Sequence, residues 1–498
     1  MDFDILIRHA TVIDGTGAEG FRGDIGIKAG MLAAIGRLNE ATALEEINAT
    51  GMIVCPGFID PHTHVHASID RDIMHEDNLV RQGITTVVGG NCGSSDWPIS
   101  EHLDKVDTLG MKQNYAVLAG HHTIRRALFG DDQARFLDPS EFKLMQVEVE
   151  RAMDEGAFGV TVGYATNWET NDEVFAFATP AGRRDGVYAS HIRSERNHLL
   201  EALGEILEVA QHADIRVQIS HLKTMNPANW EKLDAVFGML EEAVDRGLGI
   251  SADRYPYTAS HGGSTNALPR IAYQIKQERG SWDNLRDPDV IEMVTEELNI
   301  LHEERGGPDN VLFCSMRDPR PEIEGKTPAQ LAEQWGVNLL EVGIRLEEMG
   351  GVSAIIIAMS EDNLKRILAH PLVGVGSDAA LQSDKRLQTH PRGYGTFPRV
   401  LSKYVRDEGV LTLPEAIHKM SGQHAEHFGI TDRGRIAQGL VADVVVFDPW
   451  TVRDTAEFLD AHHYPEGIPS VIVNGKFAVK DGHTTPENHG RALRKTDM

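Results

Sequence analysis

From residue 58 to residue 378 the chain repeats one pattern, a short apolar run followed by a stretch with apolar residues at helical spacing. Eight such runs stand out, at 58–62, 84–90, 115–120, 158–164, 186–191, 216–221, 248–254 and 372–378. Between them lie stretches such as Glu141–Glu155, Leu199–His212 and Trp230–Arg246; Leu199, Leu203, Ile206 and Leu207 share one helical face. Strands alternating with amphipathic helices form a parallel sheet, because a parallel neighbour needs a crossover long enough to hold a helix. Eight is the number that closes a (β/α)8 barrel, so the pattern predicts an α/β fold of the TIM-like kind.

The strand ends carry residue types that ligate metals. Pro56-Gly-Phe-Ile-Asp-Pro-His-Thr-His64 places His62 and His64 one residue apart, and on a strand such residues share a face. Neutral imidazole binds zinc and similar ions, but a lone His-x-His pair is as readily a solvated or core pair. Four later runs also end on ligand types: Cys92 in Gly90-Asn-Cys-Gly93, His191 and His221 after matching Ser-His steps, and Asp378 in Gly376-Ser-Asp378. A barrel gathers the carboxyl ends of its strands at one mouth. There Cys92 is a thiolate ligand rather than a buried structural cysteine. Asp378 could ligate a metal, take a proton from activated water and return it to a leaving nitrogen; its alternative is a helix cap. Some two-metal barrels use a carboxylated lysine near the fourth strand. No lysine occurs between Lys143 and Lys223, which makes Cys92 the better bridge.

Lys223 and Arg392 are cations near strand ends, suited to gripping a substrate carboxylate, Arg392 in bidentate fashion. Tyr255 in Tyr255-Pro-Tyr257 can add a hydroxyl or simply pack.

The chain ends read differently. Asp4-Ile-Leu-Ile-Arg8, Asp24-Ile-Gly-Ile-Lys28, Asp443-Val-Val-Val-Phe447 and Ser470-Val-Ile-Val-Asn474 are short β runs, with a hairpin signal at Asn474-Gly475. Neither end can bury a core alone, so residues 1–55 and 431–498 are expected to form one small β domain, a sandwich, beside a barrel spanning 56–430. Residues 256–370 form an insertion between the seventh and eighth strands, placed to act as a lid. The 498 residues carry a net charge of -27, which argues against nucleic acid or an anionic membrane as partner. Three cysteines, no basic leader and no run of eighteen apolar residues point to a cytoplasmic protein without a membrane span.

Taken together, these landmarks resemble the amidohydrolase superfamily and, within it, the N-acyl-D-amino-acid deacylase (D-aminoacylase) family. Further matching segments are Gly120-His-His-Thr-Ile-Arg125, Ser190-His-Ile-Arg-Ser-Glu195, Gln218-Ile-Ser-His-Leu-Lys223, Asp253-Arg-Tyr-Pro-Tyr257 and His390-Pro-Arg-Gly-Tyr-Gly-Thr-Phe-Pro-Arg-Val-Leu401. The resemblance implies a tight zinc on Cys92, His191 and His221. It implies a weaker second site on His62, His64 and Asp378, with Cys92 bridging. Asp378 becomes the acid/base, and Lys223, Tyr255 and Arg392 the carboxylate contacts. The expected activity is hydrolysis of a linear amide, an N-acyl-D-amino acid, with His121 or His122 assisting at the oxyanion. The partner is this small molecule, and a homo-oligomer is compatible with the sequence. The chain departs from the family in having Val65-His66 after His-x-His, Tyr164-Ala-Thr-Asn-Trp168 near the fourth strand, and His261 where a serine contacts substrate. His261 therefore joins the substrate-binding candidates. Two alternatives remain: a cyclic-amide hydrolase of the hydantoinase or dihydroorotase kind, against which the missing lysine speaks, and a silent binding barrel, against which the six intact ligand positions speak.

Overall fold

The computed structural model describes residues 1–65, 76–130, 135–164, 168–263, 266–382 and 384–498. His66 and residues 165–167, two of the departures noted above, lie outside the described residues.

The eight apolar runs all form parallel strands: Phe58–Asp60, Ile84–Gly89, Asn114–Val117 continued by Ala119–Gly120, Gly159–Val162, Val187–Ser190, Arg216–Ile219, Ile250–Arg254 and Val373–Val375. Hydrogen bonding pairs the first three in one ladder and the third to the eighth in another, each strand beside its sequence neighbour. Beyond the regular strands, Thr63 bridges Ala379 in parallel, with the Asp378 amide donating to the His62 carbonyl at 2.9 Å and the His64 amide to the Ala379 carbonyl at 2.7 Å. The last strand thus lies against the first.

These strands are buried on both faces, which is why they are runs of Val, Ile and Ala rather than alternating patterns. Helices cover them with apolar stripes. Leu199–Ala213 buries Leu199, Leu203, Ile206 and Val209 along one side. Pro139–Asp154 starts at a capping box, Asp138 accepting from the Glu141 amide while Glu141 reaches back, with Pro139 as the first helical residue.

Several strands end earlier than the apolar pattern predicts. The residues that follow them, Cys92 (φ 54°), Tyr164 (φ 43°), His221 (φ 37°) and Asp378 (φ 52°), are in the left-handed region, where an extended ladder cannot continue. The helix expected from Trp230 begins at Leu233, after a 3-10 turn over Pro227–Lys232.

Strands from both chain ends share one nine-stranded sheet, in which Ile53–Pro56 lies between Phe3–Val12 and Val444–Phe447. Ile5, Ile25, Val54, Val444 and Ile472 form its own apolar cluster. The hairpin expected at Asn474-Gly475 is present, both residues having positive φ as a two-residue turn requires. Between the seventh and eighth strands lie several helices and a three-stranded antiparallel sheet. Ala354–Ile357 is its centre, flanked by Val311–Phe313 and Ala259–Gly262. No helix among the described residues is long and apolar enough to cross a membrane.

Candidate metal centre

The six ligand-type residues converge just past the carboxyl ends of their strands. Donor atoms of Cys92, His191 and His221 lie within 4.8 Å of one another, as do those of His62, His64 and Cys92, and those of His62, His221 and Asp378. Cys92 belongs to two of these groups, so one sulfur can serve both. Three of the six residues hold left-handed backbone, a conformation that costs a non-glycine residue on the order of 1 kcal/mol and gathers at functional sites. At Cys92, His221 and Asp378 that turn ends the strand and redirects the side chain.

Buried carboxylates orient the imidazoles. His62 Nδ1 faces Asp253 Oδ1 at 3.2 Å, which leaves Nε2 to point at Cys92 Sγ, 3.5 Å away. His221 Nδ1 lies 2.8 Å from Glu195 Oε1, and its Nε2 lies 2.9 Å from His191 Nδ1. A carboxylate behind an imidazole orients it and strengthens the ligand; behind His221 the Lys223 Nζ also lies 2.8 Å from Nδ1. Asp253 and Glu195 were landmarks of the resemblance without an assigned role. Their signal in the sequence was position alone: Asp253 closes the seventh strand and Glu195 follows the Ser-His step of the fifth.

The electrostatics suit a cation. Burial would raise the Cys92 thiol, yet the His62 charge and hydrogen bonds from His191, His221 and His62 hold it well below its usual range, as a thiolate. Burial would likewise raise Asp378, but Arg392, His62 and His64 hold it well below the carboxylate range. Burial opposes protonation of His64, which the bonds to Asp378 and Cys92 nevertheless lift to about 9. Protons on imidazoles thus balance a buried thiolate and carboxylate, a task that a divalent ion can take over. The geometry fits as well. Around a tetrahedral zinc with a Zn–S bond of about 2.3 Å and Zn–N of about 2.0 Å, a sulfur and a nitrogen ligand stand ~3.5 Å apart, the separation of Cys92 Sγ and His62 Nε2. The His191–His221 pair, at 2.9 Å, needs to open by a few tenths of an ångström to hold an ion between them.

Asp378 joins this cluster to the substrate space. Its Oδ1 is 2.9 Å from His64 Nε2, and its Oδ2 accepts from Arg392 Nη1 at 2.6 Å. A cavity of about 360 Å³ opens here, lined by His64, His261, Asp378, His390, Arg392 and Gln388 among others. His261 reaches it from the antiparallel sheet of the insertion, and its Nε2 has no hydrogen-bond partner among the described residues. Burial and the nearby Arg392 hold this imidazole down to about 4, hence neutral. Tyr255 is fully buried, with Arg254 and Arg392 against its ring at 4.2 and 4.9 Å, and its hydroxyl also lacks a partner among the described residues. Lys223 is committed otherwise: its Nζ donates to Glu195 Oε1 at 2.5 Å and to the His221 carbonyl at 3.1 Å, so it braces the His221 ligand from behind. His121 and His122 are not among the residues lining the cavity; they pair with Glu173 and Glu169.

Comparison with known proteins identifies the family. A family model described as amidohydrolase family matches residues 345–479. The chain is 33% identical to D-aminoacylase from Alcaligenes xylosoxydans xylosoxydans over 99% of its own length and 98% of that protein's. It is 33% identical to N-acyl-D-glutamate deacylase from the same organism, covering 99% and 96%. A solved structure of N-acyl-D-glutamate deacylase from Bordetella bronchiseptica, complexed with zinc and a phosphonate mimic of the tetrahedral intermediate, superposes with a TM-score of 0.83 at 30% identity, covering 99% of this chain and 100% of that one. The chain belongs to the amidohydrolase family, among the D-aminoacylases.

Proposed function

We propose that this protein is a zinc-dependent deacylase that converts an N-acyl-D-amino acid to the D-amino acid and a carboxylate. The observation that carries the reading is the convergence of Cys92, His191, His221, His62 and His64 beside an Asp378–Arg392 pair that opens on the cavity. The relatives and the solved neighbour act on N-acyl-D-amino acids by name, which supports this substrate class for the chain. Cys92, His191 and His221 would hold the tight zinc, and His62, His64 and Asp378 a weaker one that shares Cys92. Bound there, zinc supplies Lewis-acid activation of water and of the scissile carbonyl.

The remaining work falls to the chain's own groups. Arg392 holds the free carboxylate of the substrate, with the Tyr255 hydroxyl and the neutral His261 as further donors, and so fixes the amide beside Asp378. Lys223 acts through Glu195 and His221. Asp378, ionised at neutral pH, takes the proton of the attacking water at a carboxylate oxygen and hands it to the departing nitrogen.

The same reading makes the eight parallel strands a closed (β/α)8 barrel over 56–430, supported by the Thr63–Ala379 bridge between first and last strands. It makes 1–55 with 431–498 a β-sandwich on that barrel, and 256–370 a lid, supported by His261 reaching the cavity from it. The test is Asp378→Asn. It is expected to keep the tight zinc on Cys92, His191 and His221 while turnover falls by about 10²–10⁴-fold, the usual contribution of a general acid/base. Near-normal turnover would refute the role. A panel of N-acetyl-D-amino acids with L-enantiomers as controls tests the substrate class, and equal rates on both series would refute it.

A further inference from the structure

The third strand ends at Gly120 and the chain passes directly into the helix His121–Phe129. Its two leading histidines face a second cluster formed with Glu169 and the start of the helix Asn171–Gly182. His121 is fully buried and its Nε2 lies 2.8 Å from Glu173 Oε1. Arg125 Nη1 donates to the same oxygen, so Glu173 is fixed in place behind His121. A carboxylate facing Nε2 fixes that nitrogen as the N–H of His121 and leaves the lone pair on Nδ1. This Nδ1 is buried and has no hydrogen-bond partner among the described residues. An unsatisfied buried acceptor is costly enough that native structures rarely leave one without a ligand, ion or water.

His122 supplies the second imidazole, its Nε2 3.0 Å from Glu169 Oε1. One nitrogen from each ring and one Glu169 oxygen lie within 4.8 Å of one another. We propose that His121, His122 and Glu169 form a binding site for a divalent transition-metal ion, separate from the centre built on Cys92. Two imidazoles and one carboxylate match zinc, cobalt or manganese better than a hard ion such as calcium, which takes oxygen ligands throughout. Glu173 behind His121 is the orienting carboxylate that such ligands commonly carry. His122 keeps 18% of its side chain exposed, which gives the ion an entry and a fourth position for water.

The site also has a structural consequence. The His122 ring packs on Gly93, so closely that a Cβ there would stand 2.7 Å from His122 Nδ1. An ion on His122 therefore braces the loop that presents Cys92, without taking part in proton transfer at Asp378.

Metal counting tests this independently of the catalytic reading. The purified protein is loaded with zinc sulfate, exchanged into metal-free buffer and assayed by elemental analysis, beside the double variant His122→Gln with Glu169→Gln. One zinc fewer per chain in the variant, with an unchanged circular dichroism spectrum, is expected; equal counts would overturn the site. Crystals of the unaltered protein grown with a small excess of zinc decide the matter even if the variant fails to fold. An anomalous peak between His121, His122 and Glu169 supports the site, and peaks confined to the Cys92 cluster overturn it. Loss of the Cys92 peaks alone would sink the catalytic reading and leave this one standing.

Discussion

Replacing Asp253 by Asn removes a charge while keeping nearly the same shape, at the point where two ligand-bearing strands meet. Asp253 is fully buried; its Oδ1 faces His62 Nδ1 at 3.2 Å and accepts the His221 amide at 2.8 Å, and its Oδ2 accepts Gln218 Nε2 at 2.8 Å. Burial would raise this carboxyl, but His62 and His221 hold it below its ordinary value, so it is ionised. In Asp253→Asn the amide oxygen can still serve His62 and His221. Its new NH2 then meets the Gln218 NH2, a clash removed when Gln218 flips to present its unpartnered Oε1. The fold is therefore kept, and what is lost is the charge behind His62. Charge-assisted hydrogen bonds are about twice as strong as neutral ones, and removal of such an outer carboxylate weakens metal binding by about 10–100-fold. That corresponds to roughly 1.4–2.7 kcal/mol. Competition against a fluorescent zinc chelator measures it directly. The expected result is a weaker second zinc, bound through His62, with the zinc on Cys92, His191 and His221 shifted less. Unchanged zinc affinities at both sites would refute the claim that Asp253 prepares His62 as a ligand.

Other perturbations follow from the same geometry. His261→Ala removes a neutral donor from the cavity wall; KM for an N-acyl-D-amino acid should rise several-fold, by about 1 kcal/mol of binding, with kcat little changed. An unchanged KM would remove His261 from the substrate site. Acid should unfold the protein through buried histidines that are not among the candidate metal ligands. Burial holds His302 and His424 down to about 4 and His427 to about 3, against an ordinary 6.5. The unfolded chain binds more protons between these values, so stability is present above pH 6.5 and lost as the pH falls toward 4, on the order of a few kcal/mol in total. A melting temperature that stays flat across that window would contradict the assignment.

Much of this architecture was legible because the strands are short, buried on both faces and each close on a chemically distinctive residue. Cys92, His191, His221 and Asp378 could be picked out that way without knowing which strands meet. The strand ends were misjudged where Cys92, Tyr164, His221 and Asp378 follow, since a left-handed turn leaves no trace in an apolar pattern. Partnerships between distant side chains were the other blind spot. Asp253 and Glu195 sit in ordinary polar segments, and nothing local says that they will lie behind His62 and His221. Lys223 looked free to grip a substrate, but only the folded chain brings Glu195 within reach of it. His121 or His122 was expected to assist at the oxyanion, whereas the helix that starts there turns them toward Glu173 and Glu169. In the insertion, the strands Val311–Phe313 and Ala354–Ile357 are apolar runs with a strand preference of their own, whereas their companion Ala259–Gly262, which carries His261, has a Ser-His-Gly sequence with little intrinsic strand preference.

The most direct measurement is X-ray absorption at the zinc edge on the purified protein carrying one zinc per chain. A sulfur scatterer at about 2.3 Å with nitrogen or oxygen scatterers near 2.0 Å is the predicted shell, and the sulfur should vanish in Cys92→Ala. A shell of nitrogen and oxygen alone in the unaltered protein would contradict a centre built on Cys92, His191 and His221.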